Sequence, residues 1–89
     1  MRVIIVGPAQ SGKTTMLHRI IRTNPNTTFS LILDGYEAFV GAIAANFPIA
    51  ISFIITTTNL NNIPQHVRND ALVLDVLLLR GAIAGVGEA

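Results

Sequence analysis

The chain of 89 residues contains no cysteine. Without thiols it has no disulfide, no thiolate nucleophile and no zinc site built on thiolates. Such a composition agrees with a reducing compartment, and we expect a cytoplasmic protein. The first residues are predicted to enter a strand directly, so no secretory signal is expected there.

Charged residues are also scarce. They make up 12% of the chain, whereas 51% of its residues are hydrophobic and the mean hydropathy is +0.57. A single domain of this length has little interior in which to bury so much apolar surface. We therefore expect a second copy, in a homo-oligomer, or a partner protein to cover part of it. The net charge of +1 excludes a strongly basic nucleic-acid platform but agrees with a few DNA contacts made by an assembled ring.

One uncharged stretch, from Ala38 to Ile55, approaches the length of a membrane-spanning helix. Asn46 and Pro48 interrupt it, and Pro48 would break a helix where a β-branched run begins. The stretch is therefore predicted as helix, turn and buried strand, and we expect no membrane partner.

Apolar periodicity divides the chain into alternating strands and helices. The predicted strands are residues 2–6, 29–33, 49–56 and 72–79. The predicted helices are residues 12–22, residues 36–45 and a short helix that is capped by Asn61 or Asn62, includes Pro64 and ends near residue 69. This alternation predicts an α/β fold with a mostly parallel four-stranded sheet and helices on both faces. One domain would span residues 1–80, followed by a small glycine-rich tail over residues 81–89.

The sequence "GPAQSGKT", residues 7–14, follows the first predicted strand and fits the phosphate-binding pattern G-x-x-x-x-G-K-[ST]. Two glycines let the backbone turn sharply and approach a phosphate, and the following helix N-terminus adds donors. The loop is predicted to bind ATP or GTP through Gly7, Gln10, Ser11, Gly12, Lys13, Thr14 and Thr15. The alternative is a glycine-rich turn that carries a surface lysine.

Within this loop Lys13 is predicted to reach the β- and γ-phosphates, and the Thr14 hydroxyl to bind Mg²⁺. A second motif, "LILDG" at residues 31–35, is similar to the Walker B element, an apolar strand that delivers a carboxylate to the metal. Asp34 would supply that carboxylate, although an Asp at a strand end is more commonly a turn former. Thr14 and Asp34 are thus the predicted Mg²⁺ site.

Hydrolysis also requires a group that orients the attacking water. Many ATPases place a Glu directly after the Walker B Asp, where this chain has Gly35. The nearest carboxylate is Glu37, which we predict as catalytic. The alternative is a favourable charge in the first turn of the next helix. The sequence therefore supports nucleotide binding more directly than catalysis.

The most specific resemblance is carried by "IITTTNLNNIPQHVRND", residues 54–70. A strand that ends in a polar residue, a segment that ends in Ile-Pro and then an Arg-Asn pair resemble the HerA/FtsK-type DNA-pumping ATPases, which include viral genome-packaging ATPases. The resemblance covers residues 1–79 and implies an oligomeric P-loop ATPase that moves or packages DNA. It also implies Thr58 as the γ-phosphate sensor, where the family has Gln, with Asn59 as a substitute. Arg68 or Arg80 would be the arginine supplied across subunits, and the alternative is a solvated surface arginine or one paired with Asp70.

The chain departs from that family in its shorter length and in lacking the Walker B Glu and the sensor Gln. Two other functions therefore stay open. A nucleoside or nucleotide kinase would suit the phosphate loop, although residues 38–67 contain no Lys or Arg for a lid. A non-catalytic nucleotide-binding subunit would explain Gly35 and the high hydrophobicity.

Overall fold

The computed structural model describes residues 1–38 and 52–79. The strands are β1 (Arg2–Val6), β2 (Leu31–Leu33), β3 (Phe53–Thr57) and β4 (Leu72–Asp75). The helices are α1 (Lys13–Thr23) and α2 (Gln65–Arg68), and there are 3₁₀ turns at Tyr36–Ala38 and Leu60–Asn62. Residues 76–79, which follow β4, are also helical.

The four described strands form one parallel sheet in the order β2-β3-β1-β4. Val6, the last residue of β1, lies beside Thr57 of β3 and Asp75 of β4, and Leu33 of β2 lies beside Ile55. The predicted α/β fold with a parallel four-stranded sheet is confirmed at this level. Because the strands are parallel, the loops that follow β1, β2 and β3 leave the same edge of the sheet.

Among the described residues, the buried apolar side chains form two clusters on opposite faces of the sheet, because side chains alternate along each strand. One contains Val3, Ile5, Leu17, Ile54 and Val76. The other contains Ile4, Leu33, Tyr36, Phe53, Ile55, Ile63 and Val67. Every residue of β3 is buried, as expected for a strand whose two faces are both covered. The loops that follow the strands are therefore attached to a sheet in which β3 is buried on both faces.

The predicted fourth strand is wrong beyond Asp75. Oδ1 of Asp75 accepts the backbone N–H groups of Leu77 (3.1 Å) and Leu78 (3.2 Å), which is the bonding of a helix N-cap. The chain turns into a helix at Val76, and the buried Val76 side chain packs on the α1 side of the sheet. A carboxylate that satisfies two amides stops the strand even though the sequence continues apolar.

Other predicted boundaries shift by a few residues. Helix α1 begins at Lys13 with Gly12 as its N-cap, and β2 begins at Leu31. Neither predicted asparagine caps α2, which follows Pro64 without a side-chain cap, whereas Asn59 accepts the N–H of Asn61 at 2.9 Å and caps the preceding 3₁₀ turn.

Several predictions fall on residues outside those described. The predicted helix at residues 36–45 begins as the 3₁₀ turn Tyr36–Ala38, and its remainder is not described. The same holds for residues 49–51 of the predicted third strand and for the tail at residues 81–89. In the two described ranges, no helix has both the length and the hydrophobicity that a membrane crossing requires.

Candidate functional site

The loop between β1 and α1 owes its shape to two residues with left-handed backbone, Gln10 (φ 60°) and Gly12 (φ 96°). A positive φ is uncommon outside glycine, so the conformation at Gln10 must be held by its surroundings. Around it, the N–H of Gly7 donates to the carbonyl of Thr57 at 3.1 Å, and the N–H of Ser11 donates to the carbonyl of Pro8 at 3.3 Å. The loop is thereby anchored to β3 and turns directly into the first residue of α1.

Close packing explains the glycine at position 7. A Cβ placed there would lie 2.6 Å from Oγ of Ser11, which is too close for any real Cβ contact. The Ser11 side chain is itself buried, with 5% of its surface exposed. A side chain at position 7 would therefore displace the Ser11 hydroxyl, which gives a packing reason for Gly7 that the motif pattern alone does not supply.

Lys13 folds over the beginning of the loop. Its Nζ donates to the carbonyls of Gly7 (2.8 Å) and Pro8 (2.7 Å). A cavity of about 220 Å³ beside it is lined by Gln10, Gly12, Lys13 and Thr14. The first N–H groups of α1 have no partners within the helix, and the positive end of the helix dipole lies here. Together with the positive charge of Lys13, these N–H groups and the helix dipole make the cavity favourable for an anion.

The predicted metal ligands, Thr14 and Asp34, are in direct contact. Oγ1 of Thr14 donates to the Asp34 carboxylate, 2.8 Å from Oδ2 and 3.1 Å from Oδ1. Oγ1 of Thr56 donates to Oδ1 of Asp34 at 2.9 Å and accepts the N–H of Gly35 at 2.7 Å. The carboxylate is thus held at the N-terminus of α1 by hydroxyl groups from two elements.

This pair offers few protein ligands for a metal. No cluster of three or more His, Cys, Asp or Glu side chains occurs within residues 1–38 and 52–79. Mg²⁺ commonly binds through one or two carboxylates and completes its shell with water and substrate phosphates. The hydroxyl and carboxylate therefore fit an Mg²⁺ ion that arrives with a phosphate ligand, and they do not fit a metal held by the protein alone.

Glu37 is tied to the end of β3. Its Oε1 accepts the hydroxyl of Thr57, the N–H of Thr58 at 2.7 Å, the hydroxyl of Thr58 at 3.0 Å and Nδ2 of Asn62 at 2.9 Å. Partial burial would by itself raise the pKa of Glu37, but the hydrogen bonds outweigh it and lower that pKa from its ordinary value of 4.5 to about 2. Glu37 is therefore a stable anion and a weak base in this arrangement.

Three consecutive threonines organise the two carboxylates. Thr56 bonds Asp34, whereas Thr57 and Thr58 bond Glu37. The predicted sensor Thr58 is thus a partner of the predicted catalytic Glu37. Sequence reasoning missed the roles of Thr56, Thr57 and Asn62, although the run of hydroxyl residues at the strand end was a usable signal.

Two other predicted residues lie apart from these contacts. Thr15 lines a second, larger cavity on α1, beside the one that Lys13 lines. Nη2 of Arg68 donates to Oε1 of Gln65 at 2.7 Å on α2, so its described partner is not a site residue. Arg80 lies outside the described residues.

The chain was compared with protein-family models, with curated proteins and with solved structures, and nothing matches it in any of the three. The resemblance to DNA-pumping ATPases therefore rests on the motifs quoted above.

Proposed function

We propose that this chain is a P-loop protein that binds the Mg²⁺ complex of a nucleoside triphosphate, ATP or GTP, and hydrolyses it. One observation carries the proposal: the Thr14 hydroxyl donates to the Asp34 carboxylate at 2.8 Å, directly beside the glycine loop that holds Lys13. A cation, a helix N-terminus, a hydroxyl and a carboxylate at the edge of a parallel sheet are the groups that a metal-bound triphosphate requires.

Phosphate binding follows from the charges of the loop. The triphosphate lies over the N-terminus of α1, and Lys13 exchanges the carbonyls of Gly7 and Pro8 for phosphate oxygens. The Asp34 carboxylate would repel a phosphate bound next to Thr14, because two negative charges close together are unfavourable. Asp34 and Thr14 would hold a divalent cation, and its positive charge would offset that repulsion. Binding should therefore depend on Mg²⁺.

Catalysis falls to Glu37 and Thr58. All four hydrogen bonds described above end on Oε1 of Glu37, so Oε2 is the oxygen that accepts a hydrogen bond from the attacking water. With a pKa of about 2 the carboxylate orients water far better than it removes a proton. Thr58 donates either to Glu37 or to the γ-phosphate, which makes it the link between bound nucleotide and the water-orienting group.

The pKa of Glu37 favours a second candidate, a subunit that binds nucleotide without turning it over. A carboxylate held by several donors has little driving force to take a proton from water. In that case nucleotide binding would control docking to a partner rather than drive a reaction.

A homo-oligomer or a partner protein is part of both candidates. Large apolar side chains on and after β4 are exposed, namely Leu72 (55%), Leu77 (54%) and Leu78 (73%). These exposed side chains support the proposal that a second copy or a partner protein covers the surface around β4. DNA as the moved polymer is proposed from the motif resemblance alone.

The first experiment measures steady-state phosphate release from ATP and GTP with Mg²⁺, with and without double-stranded DNA. Lys13→Ala should lower turnover about 100-fold or more, because a charged group that stabilises the transferring phosphate is lost. Arg22→Ala is the matched control: it removes one positive charge from the last turn of the same helix, about 13 Å away.

Each result assigns a different function. Turnover that DNA raises and Lys13→Ala abolishes supports a DNA motor. Nucleotide binding without turnover supports the binding subunit. If both variants behave like the wild type, Lys13 does not hold a phosphate and the proposed site is wrong.

A further inference from the structure

A second cavity, of about 350 Å³, opens beside the phosphate loop. Its described lining includes Met16 and Arg19 of α1 and Val76 and Leu79 of the helical segment after β4. Gln10 and Gly12 line both this cavity and the smaller one next to Lys13. The two cavities are therefore adjacent, with the phosphate loop as their common wall. Lys13, Thr14 and Asp34, which carry the proposed phosphate and metal contacts, are absent from the described lining of the larger cavity.

One side of this cavity suits the face of a flat ring, whereas Gln10, Ser11 and Thr15 add polar groups to the lining. Val76 is 1% exposed, Met16 and Leu79 are half-buried, and together they form apolar walls. Arg19 is exposed at the rim and brings a guanidinium, which stacks favourably on aromatic rings. The size lies within the range of about 300–1,000 Å³ that small-molecule pockets occupy.

Helix α1 directs different side chains to the two cavities. Lys13 and Thr14 line the smaller one. Thr15 and Arg19, which are four residues apart and therefore share a helix face, line the larger one together with Met16. A ligand whose phosphates lie at Lys13 thus has its remaining part directed along α1 toward Met16 and Arg19.

We propose that the larger cavity is the nucleoside subsite, in which a purine base packs against Met16, Val76 and Leu79 and stacks on Arg19. This inference rests on the proposed function, since it needs a triphosphate in the smaller cavity. The side chains described in its lining include no carboxylate, the group that would pair with the N–H donors of guanine. The base is held by its face, and the subsite accepts both ATP and GTP.

The experiment compares binding of Mg²⁺-ATP and of inorganic triphosphate with Mg²⁺ by titration calorimetry. Because inorganic triphosphate has no base, it reports on the smaller cavity alone. We expect wild-type protein to bind ATP about tenfold or more tightly than inorganic triphosphate, the size of a base-stacking contribution. GTP should bind with an affinity within about tenfold of that of ATP, since the described lining holds no carboxylate that would select guanine.

Arg19→Ala tests the stacking contact, and Arg22→Ala is its matched control on the same helix, one turn further on. Arg19→Ala should weaken ATP binding about threefold to tenfold through loss of the cation–π contact and should leave the affinity for inorganic triphosphate at the level of Arg22→Ala. Arg19→Gln, which keeps a long polar side chain, should behave like Arg19→Ala. Circular dichroism checks that each variant is folded.

The outcomes separate this inference from the proposed function. Equal affinities of wild-type protein for ATP and inorganic triphosphate would overturn the nucleoside subsite while the phosphate site stands. An Arg19→Ala variant that loses both ligands equally would also overturn it, because Arg19 would then act on the phosphates. If neither ligand binds, the proposed function fails and the subsite fails with it.

Discussion

The contact between Gly7 and Ser11 leads to a prediction that depends on the structure of the glycine-rich loop between β1 and α1. In Gly7→Ala, the new Cβ would lie 2.6 Å from Oγ of Ser11, whereas ordinary contacts of a Cβ begin at 3.4 Å. One of the two groups must therefore move by about 0.8 Å in a packed region. Ser11 is 5% exposed, so its hydroxyl has no free path into solvent. We expect Gly7→Ala to lower the free energy of unfolding by about 1–3 kcal/mol, as overpacking does.

A second substitution shows whether this contact is the cause. In the Ser11→Ala background the nearest atoms to the new Cβ are Cβ of Val76 at 3.4 Å and Cβ of residue 11 at 3.5 Å, both ordinary distances. Gly7→Ala should then be neutral, or stabilising by up to about 1 kcal/mol, because alanine restricts the unfolded chain. The two substitutions should thus be coupled by about 1 kcal/mol or more.

Urea unfolding followed by circular dichroism measures all four proteins of this cycle. With a slope of about 1–3 kcal/mol per molar urea, typical of small proteins, Gly7→Ala should lower the midpoint by about 1 M. An unchanged midpoint in Gly7→Ala, or the same loss of stability in the Ser11→Ala background, would contradict this packing explanation.

Three further predictions concern charge, backbone and capping. Since the folded pKa of Glu37, about 2, lies below its ordinary 4.5, the stability that its hydrogen bonds contribute is present above about pH 5 and is lost as the pH falls toward 2. The urea midpoints at pH 7 and pH 3 should therefore differ less in Glu37→Gln than in wild type. An equal difference in the two proteins would contradict this prediction. Gly12→Ala should lower the free energy of unfolding by about 1–2 kcal/mol because φ at this position is 96°, although no atom lies within 4 Å of the new Cβ. Gly12→Asn should lower it less. Equal losses in the two variants would argue against backbone strain. Asp75→Ala should lower the free energy of unfolding by about 1 kcal/mol through loss of the helix cap, whereas Asp75→Asn should retain most of that stability. Equal melting temperatures of the two variants in a thermal melt would show that the cap does not stabilise the fold.

The elements with strong local signals could be predicted from the sequence. The apolar run at residues 2–6 is strand β1 with the predicted bounds, and the glycine loop that follows leads into α1 one residue later than predicted. These signals are local because a phosphate-loop pattern and a period of apolar residues depend on neighbours in the chain. The contact between Thr14 and Asp34 also agrees with the predicted pairing of the two motifs.

The error in the fourth strand has a different cause. Residues 72–79 are apolar apart from Asp75, so their pattern favours a buried strand throughout. The carboxylate of Asp75 instead accepts two amide groups of the following turn, and a helix begins there. Competition between a continuing strand and a side-chain cap is decided by a few hydrogen bonds, which apolar periodicity does not register.

The alternation of strands and helices, the parallel class of the sheet and the loop that carries Lys13 could be predicted because each follows from short-range pattern and backbone sterics. The meeting of polar groups depends on how the strands are ordered in the folded sheet. The position of β3 between β1 and β2 brings Thr56 to Asp34, and Thr57, Thr58 and Asn62 to Glu37, across 20 to 25 residues of chain. Strand order depends on non-local packing, and hydrogen bonds formed across it lower the pKa of Glu37, so the chemistry open to this carboxylate is a property of the folded sheet.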